Sequence, residues 1–108
     1  MTQIDPTKSC LTLINVFTVR PERCDELLRL LETATRDVMR HVDGFLTANL
    51  HRSGDGTRVV NYAQWVSESH FRAMLNSPEA REHMGRAAAI AESYDANTYS
   101  VAYTEVRG

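Results

Sequence analysis

Along this chain, segments with apolar residues at every second position are followed by segments with apolar residues at every third or fourth position. Few folds fit this succession of strand-like and helix-like segments. The segment CLTLINVFTV alternates at every second residue, which predicts a first strand. Pro21 suits a first helical turn, and apolar residues at helical spacing predict a helix from about Glu22 to His41. Gly44 is a turn residue after this helix and predicts a second strand near Phe45 to Arg52, and alternation predicts a third strand that ends at about Val66.

The second half of the chain repeats the change of spacing. SGDGT, residues 53–57, predicts a hairpin loop because Asp-Gly readily supplies a positive φ. Ser67 is a good N-cap for a short helix to about Leu75, and Ser77 with Pro78 starts another helical stretch. SYDANT is expected to break that helix, and Tyr99 to Val106 are expected to form the last strand.

The resulting order is β-α-β-β-α-β. One central hairpin in that order predicts an α+β, ferredoxin-like fold, in which a four-stranded antiparallel sheet of order 4-1-3-2 is covered on one face by helices. The other face is too apolar to remain in water, so we expect a second copy to cover it and form a homodimer. Its expected members are Ile14, Val16, Val60, Tyr62 and Ala102.

Length and charge set the domain count and exclude several partners. A chain of 108 residues suffices for one domain, which we expect at residues 10–108 after a flexible N-terminal arm at residues 1–9. The formal net charge of −2, with no basic cluster, predicts no nucleic-acid or membrane partner. The first ten residues have no apolar stretch typical of a signal peptide, so a cytoplasmic location is expected.

Two asparagines are out of place in this pattern. In VVNYAQW, residues 59–65, Asn61 lies on the same face as Trp65, the only tryptophan, and Asn15 lies on the corresponding face of the first strand. A buried amide without a partner costs about 1–3 kcal/mol. Either the amides hydrogen-bond each other or nearby backbone, or they point into a ligand cavity. Asn61 and Trp65 lie roughly 13 Å apart at strand spacing, so they could bracket a flat multi-ring ligand.

The string VVNYAQW followed by SESHF, on a βαββαβ chain of this length, resembles the antibiotic biosynthesis monooxygenase superfamily. NYAQW is most similar to the cofactor-independent oxygenases that form quinones from anthrones in aromatic polyketide pathways. The resemblance covers about Leu11 to Val106. It implies a dimeric α/β barrel that oxygenates a small aromatic substrate with O2 as co-substrate and no flavin, metal or haem.

The resemblance also assigns residues. It implies that Asn61 holds a substrate oxygen, that the Trp65 indole faces the substrate or O2, and that Asn15 is the first-strand asparagine of the site. In this chemistry the deprotonated substrate passes electrons to O2 while the protein stabilises oxyanion charge in a dry pocket. The further substrate-binding candidates are three apolar side chains, one imidazole and one guanidinium: Phe17, Phe71, Met74, His70 and Arg86. Among these, His70 is also a candidate general base.

Metal and haem chemistry find no support in the histidine spacing. The four histidines show no metal-binding spacing, so no metal site is predicted. Haem-degrading members of the superfamily carry an iron-ligating histidine about ten residues beyond the tryptophan, where this chain has Met74 or Leu75.

Two other functions stay open. The same pocket would serve a non-catalytic polyketide-binding module, or a cyclase or isomerase that removes a proton without needing oxygen. The sequence names neither the ring system nor the pathway.

Overall fold

The computed structural model describes residues 1–108 as one α+β unit of four strands and three α-helices. The elements in chain order are β1 Leu11–Thr18, α1 Cys24–Asp37, β2 Phe45–Arg52, β3 Arg58–Trp65, α2 Glu68–Leu75, α3 Pro78–Ile90 and β4 Ser93–Tyr99.

The four strands form one antiparallel sheet in the order β2-β3-β1-β4. This is the predicted 4-1-3-2 order written from the other edge, so the ferredoxin-like fold is confirmed. No helix in the structure has the length and apolar character needed to cross a membrane.

The helix ends follow the predicted capping residues, with one difference. The Ser67 hydroxyl accepts a hydrogen bond from the His70 N–H, and the Ser77 hydroxyl accepts one from the Ala80 N–H.

The single long helix predicted for residues 22–41 is instead divided into a 3₁₀ turn, α1 and a second 3₁₀ turn at residues 39–41. The division falls at Val38, whose φ of −122° and ψ of −64° are not helical.

The predicted hairpin loop joins β2 to β3 and is held by one carboxylate. The Asp55 carboxylate accepts hydrogen bonds from the side chain and backbone N–H of Thr57 and from the Ser53 hydroxyl. The Thr57 hydroxyl is the main cause, and together these bonds lower the pKa of Asp55 to about 2. Gly56 supplies the expected positive φ, at 74°.

The prediction for the last strand was wrong. Instead of a break at SYDANT and a strand at residues 99–106, the structure has β4 at Ser93–Tyr99 and no strand beyond it. The Glu92 N–H donates to the Thr18 carbonyl at 2.8 Å, so the chain joins the edge of β1 immediately after α3. This pairing uses backbone groups, so an exposed edge strand tolerates polar side chains. Because β4 has a polar sequence, its residues do not show the apolar alternation by which a strand is predicted.

The core on the helix side of the sheet has two parts. One cluster contains Phe17 and Val59, and the other contains Leu13, Ala63 and Trp65. Asn15 lies between Leu13 and Phe17 along β1, and β3 carries Asn61 between Val59 and Ala63. The asparagine pair therefore divides the core where β1 and β3 lie side by side.

The sheet face opposite the helices carries half-buried apolar side chains from the central strands. Ile14 lies opposite Tyr62 and Val16 lies opposite Val60 in the register of β1 and β3. Ala102 is not part of this face, because it is exposed beyond the end of β4.

The N-terminal arm contacts the same face. The Gln64 side chain donates to the Gln3 carbonyl at 2.7 Å, and the Thr2 hydroxyl donates to the Asn49 side-chain oxygen at 2.8 Å. These two bonds place residues 2 and 3 against the β2–β3 part of the sheet.

Candidate active site

A cavity of about 400 Å³ lies between the sheet and the helices. Of its 22 lining residues, 17 are apolar or aromatic, and none is an Asp, Glu, Lys, Arg or Cys. The remaining five are Asn15, Thr35, Asn61, His83 and Gly85. An apolar cavity of this volume with a few polar groups is typical of a small-molecule site.

The two asparagines face each other across the central strand pair and both line the cavity. Residues directly opposite on antiparallel strands have Cβ atoms about 4.5–5.5 Å apart, so the carboxamides of Asn15 and Asn61 form one polar patch. Neither side-chain oxygen has a hydrogen-bond partner, although both are buried. The amides therefore do not bond each other, and the purely structural explanation for them is removed.

Trp65 closes one end of the cavity. Its side chain is 2% exposed and makes edge contacts with the rings of Phe45, at 5.6 Å between centroids, and Phe71, at 6.0 Å. The indole Nε1 is buried and has no acceptor. A buried tryptophan N–H usually has a partner, so this donor is free for a guest.

His83 also lines the cavity, a position that the sequence reasoning missed. Its Nδ1 is buried without a hydrogen-bond partner. The sequence did contain evidence for this position of His83. It lies three residues after Ala80 and four before Ala87, the two buried residues of α3. Helical spacing places all three on one inward face.

Unpartnered buried polar atoms concentrate at this cavity. The structure has five such side-chain atoms, and four belong to cavity residues: Asn15 Oδ1, Asn61 Oδ1, Trp65 Nε1 and His83 Nδ1. Native proteins pair nearly all buried polar groups, and each orphan costs about 1–3 kcal/mol. Four such atoms on residues that line one apolar cavity favour a site at which a ligand supplies the missing hydrogen bonds.

The other predicted site residues divide into two groups. Phe17, Phe71 and Met74 line the cavity as predicted, whereas His70 and Arg86 do not. The Arg86 guanidinium extends along the outer surface of α3 and pairs with Glu82 at 2.6 Å.

His70 has a structural explanation. Its Nδ1 lies 2.6 Å from the Ser67 hydroxyl, and its Nε2 lies 3.6 Å from an oxygen of the exposed Asp43. A Cβ at Gly44 would clash with the His70 side chain, and Gly44 has a φ of 87°. The imidazole therefore packs over the turn before β2. Although Ser, His and Asp meet here, the serine hydroxyl caps α2 and none of the three residues lines the cavity.

A larger groove of about 780 Å³ runs between α1 and β2, but it is a charged surface feature. Six of its ten lining residues are charged, and its arginines include Arg52, paired with Asp25, and Arg36, paired with Glu32. Such exposed pairs are solvated and contribute little. No cluster of three or more His, Cys, Asp or Glu is placed to hold a metal ion.

The fold and the cavity define a class: a ferredoxin-like α+β domain with a largely apolar cavity between its sheet and its helices. The sequence profile of the antibiotic biosynthesis monooxygenase family matches residues 10–86. The chain therefore belongs to the antibiotic biosynthesis monooxygenase family. It is 48% identical, over 83 residues, to the tetracenomycin-F1 monooxygenase of Streptomyces glaucescens, covering 77% of this chain and 74% of that protein.

Solved structures share the whole fold. A monooxygenase from the ActVA-Orf6 gene of Streptomyces coelicolor, in complex with nanaomycin D, superposes with a TM-score of 0.80 at 27% identity, covering 96% of both chains. SnoaB of Streptomyces nogalater, described as a cofactor-independent oxygenase, superposes with a TM-score of 0.73 at 23% identity, covering 88% of this chain and 95% of that one.

Proposed function

We propose that this protein is a cofactor-independent monooxygenase that oxidises an aromatic polyketide, anthrone-like or hydroquinone-like, to a quinone with O2. The observation that carries the proposal is the set of four unpartnered polar groups in one apolar cavity. The 48% identical relative named as a tetracenomycin-F1 monooxygenase supports it, as does the nanaomycin D complex of the 27% identical protein.

The cavity suits such a substrate physically. Its apolar walls match the faces of a flat ring system, and the carboxamides of Asn15 and Asn61 match its phenolic or carbonyl oxygens. With an anthrone-like substrate, a ring methylene becomes a carbonyl, one oxygen atom of O2 enters the product and the other leaves as water. Negative charge develops on oxygen during this step, and hydrogen-bond donors in a dry cavity stabilise it more than water does.

Asn61, Trp65 and Asn15 are the proposed catalytic residues. The Asn61 side-chain N–H donates to the substrate oxygen on which charge develops, and the Trp65 indole N–H is a second donor at the cavity. The unpartnered Oδ1 atoms of Asn15 and Asn61, which lie opposite each other on neighbouring strands, accept from a substrate hydroxyl. Phe17, Phe71 and Met74 provide apolar contacts.

Oxygen uptake tests the proposal. Protein dialysed against EDTA, and free of flavin and haem absorption bands, is mixed with anthrone in an oxygen electrode under air. We expect one O2 consumed per quinone formed, at a rate proportional to protein concentration, with one ¹⁸O atom from ¹⁸O2 in the product.

The alternatives give different results in the same experiment. A binding module quenches Trp65 fluorescence on adding anthrone but consumes no O2. A cyclase or isomerase converts its substrate equally well under argon. Activity that appears only after adding a flavin or metal would contradict cofactor independence.

We also propose that the active form is a homodimer that buries the open sheet face. The half-buried pairs Ile14 with Tyr62 and Val16 with Val60 form its apolar centre. Light scattering should give a mass about twice the 12.2 kDa of the chain. Val60→Lys should give a monomer, because a charge buried at the interface is costly. Ala89→Lys, on the exposed surface of α3, is the matched control. A monomeric parent protein would contradict this.

A further inference from the structure

The cavity has only two titratable side chains, His83 on α3 and Tyr94 on β4. The other lining residues are uncharged and do not titrate, whichever strand, helix or turn they belong to. A neutral phenol offers no basic site, whereas imidazole is the side chain that ordinarily exchanges a proton between about pH 5 and 8. A reaction that begins with proton removal in this cavity therefore has one suitable acceptor.

The setting of His83 fits that role. Its ring is half-buried on the inward face of α3, and its Nδ1 is buried with no partner in the protein. On its own helix, Glu79 is exposed one turn earlier, and Glu82 is paired with Arg86. No carboxylate orients or neutralises the imidazole from across the cavity.

His83 lines the cavity from the helix layer, and the asparagine pair lines it from the sheet. A flat guest that directs an oxygen toward Asn15 and Asn61 on the sheet lies between them and α3. Its acidic ring position can then face the imidazole while charge collects on the oxygen held by the amides. Base and oxyanion donors on opposite sides of the substrate suit removal of a proton next to a carbonyl.

We infer that His83 is the general base of the reaction, an assignment that rests on the proposed function. The first C–H bond breaks, its proton moves to the imidazole, and the electron pair stays on the substrate and forms the bond to O2. The imidazolium returns the proton to the distal oxygen. His83 then accepts the second C–H proton as the carbonyl forms and the O–O bond breaks, and the released hydroxide takes that proton as water.

Proton removal can be measured separately from oxidation. With anthrone in D2O under argon, exchange of the ring methylene hydrogens is followed by NMR, and with anthrone in air, O2 uptake gives kcat and KM. We expect His83→Gln to lower both the exchange rate and kcat by about 10²–10⁴-fold, with KM changed little. The kcat of this variant should recover at alkaline pH, where solvent hydroxide ionises the substrate.

Controls separate chemistry from folding. His41→Gln changes an exposed histidine outside the cavity and should retain parent kinetics. His83→Ala leaves space that added imidazole can fill, so imidazole should restore exchange to this variant but not accelerate the parent. Far-UV circular dichroism confirms that each variant is folded.

The outcomes distinguish this inference from the proposed function. If His83→Gln exchanges and oxidises anthrone like the parent, or if Tyr94→Phe alone abolishes exchange, the inference is overturned while the oxygenase proposal stands. If the parent consumes no O2 but its exchange depends on His83, the inference holds and the oxygenase proposal fails. A parent that catalyses neither process with anthrone overturns both.

Discussion

Asn61→Ala should lower kcat by about 10²–10³-fold, as loss of one preorganised oxyanion donor does in other enzymes. The same substitution should leave the protein as stable as the parent or more stable. The Asn61 oxygen is buried and unpartnered, so removing the amide breaks no internal hydrogen bond and relieves a desolvation cost of about 1–3 kcal/mol. Oxygen uptake and urea unfolding measure the two effects.

Asn49→Ala is the matched control, because Asn49 is an asparagine of the same sheet whose amide is satisfied. It donates to the Tyr62 carbonyl at 3.0 Å on the face away from the cavity. We expect it to lose about 0.5–1.5 kcal/mol of stability and to retain kcat. The opposite pattern, with Asn61→Ala destabilised and fully active, would show that Asn61 is a structural residue.

Trp65→Ala should cost about 3–5 kcal/mol of unfolding free energy, which is a large part of the stability of a small domain. The indole is 2% exposed and packs between the rings of Phe45 and Phe71, so its removal empties one end of the core. Trp65→Phe keeps most of this packing but loses the N–H. We expect it to be much more stable than Trp65→Ala and yet to turn over more slowly than the parent.

Circular dichroism in urea measures these two variants, since both lack the only tryptophan and so the fluorescent probe. Parent-like kcat in Trp65→Phe would remove the indole N–H from the mechanism and leave Trp65 as a packing residue. A Trp65→Ala variant as stable as the parent would contradict the packing account.

Where the sequence prediction succeeded, the signal was local. The turn residue Gly44 predicted the start of β2, and the two serine caps predicted the starts of α2 and α3. Alternation along β1 and β3 put Asn15 and Asn61 on the helix side of the sheet, where both line the cavity. Side-chain direction repeats every two residues in a strand, so it can be read without knowing the partner strand.

Where the prediction failed, the deciding interaction was not local. β4 is recognised only by its pairing with the edge of β1, and its polar sequence carries no strand pattern. Because the strand was misplaced, the sequence did not decide whether Tyr94 only packs or also lines the cavity, as it does in the structure. His70 was predicted to be the histidine of the site, but its ring packs on Gly44. The two residues are 26 positions apart in the chain, so local sequence patterns do not reveal this contact.

The sequence by itself determined the order of strands and helices, the fold class and the two polar residues that interrupt an apolar face, because periodicity and capping act within a few residues. Only the tertiary structure decided that the two amides bond neither each other nor the backbone, that His83 and Tyr94 are the sole titratable groups at the cavity, and that Arg86 lies outside it. Those properties depend on the distance between atoms far apart in the chain, and on which groups the packed core leaves without a partner.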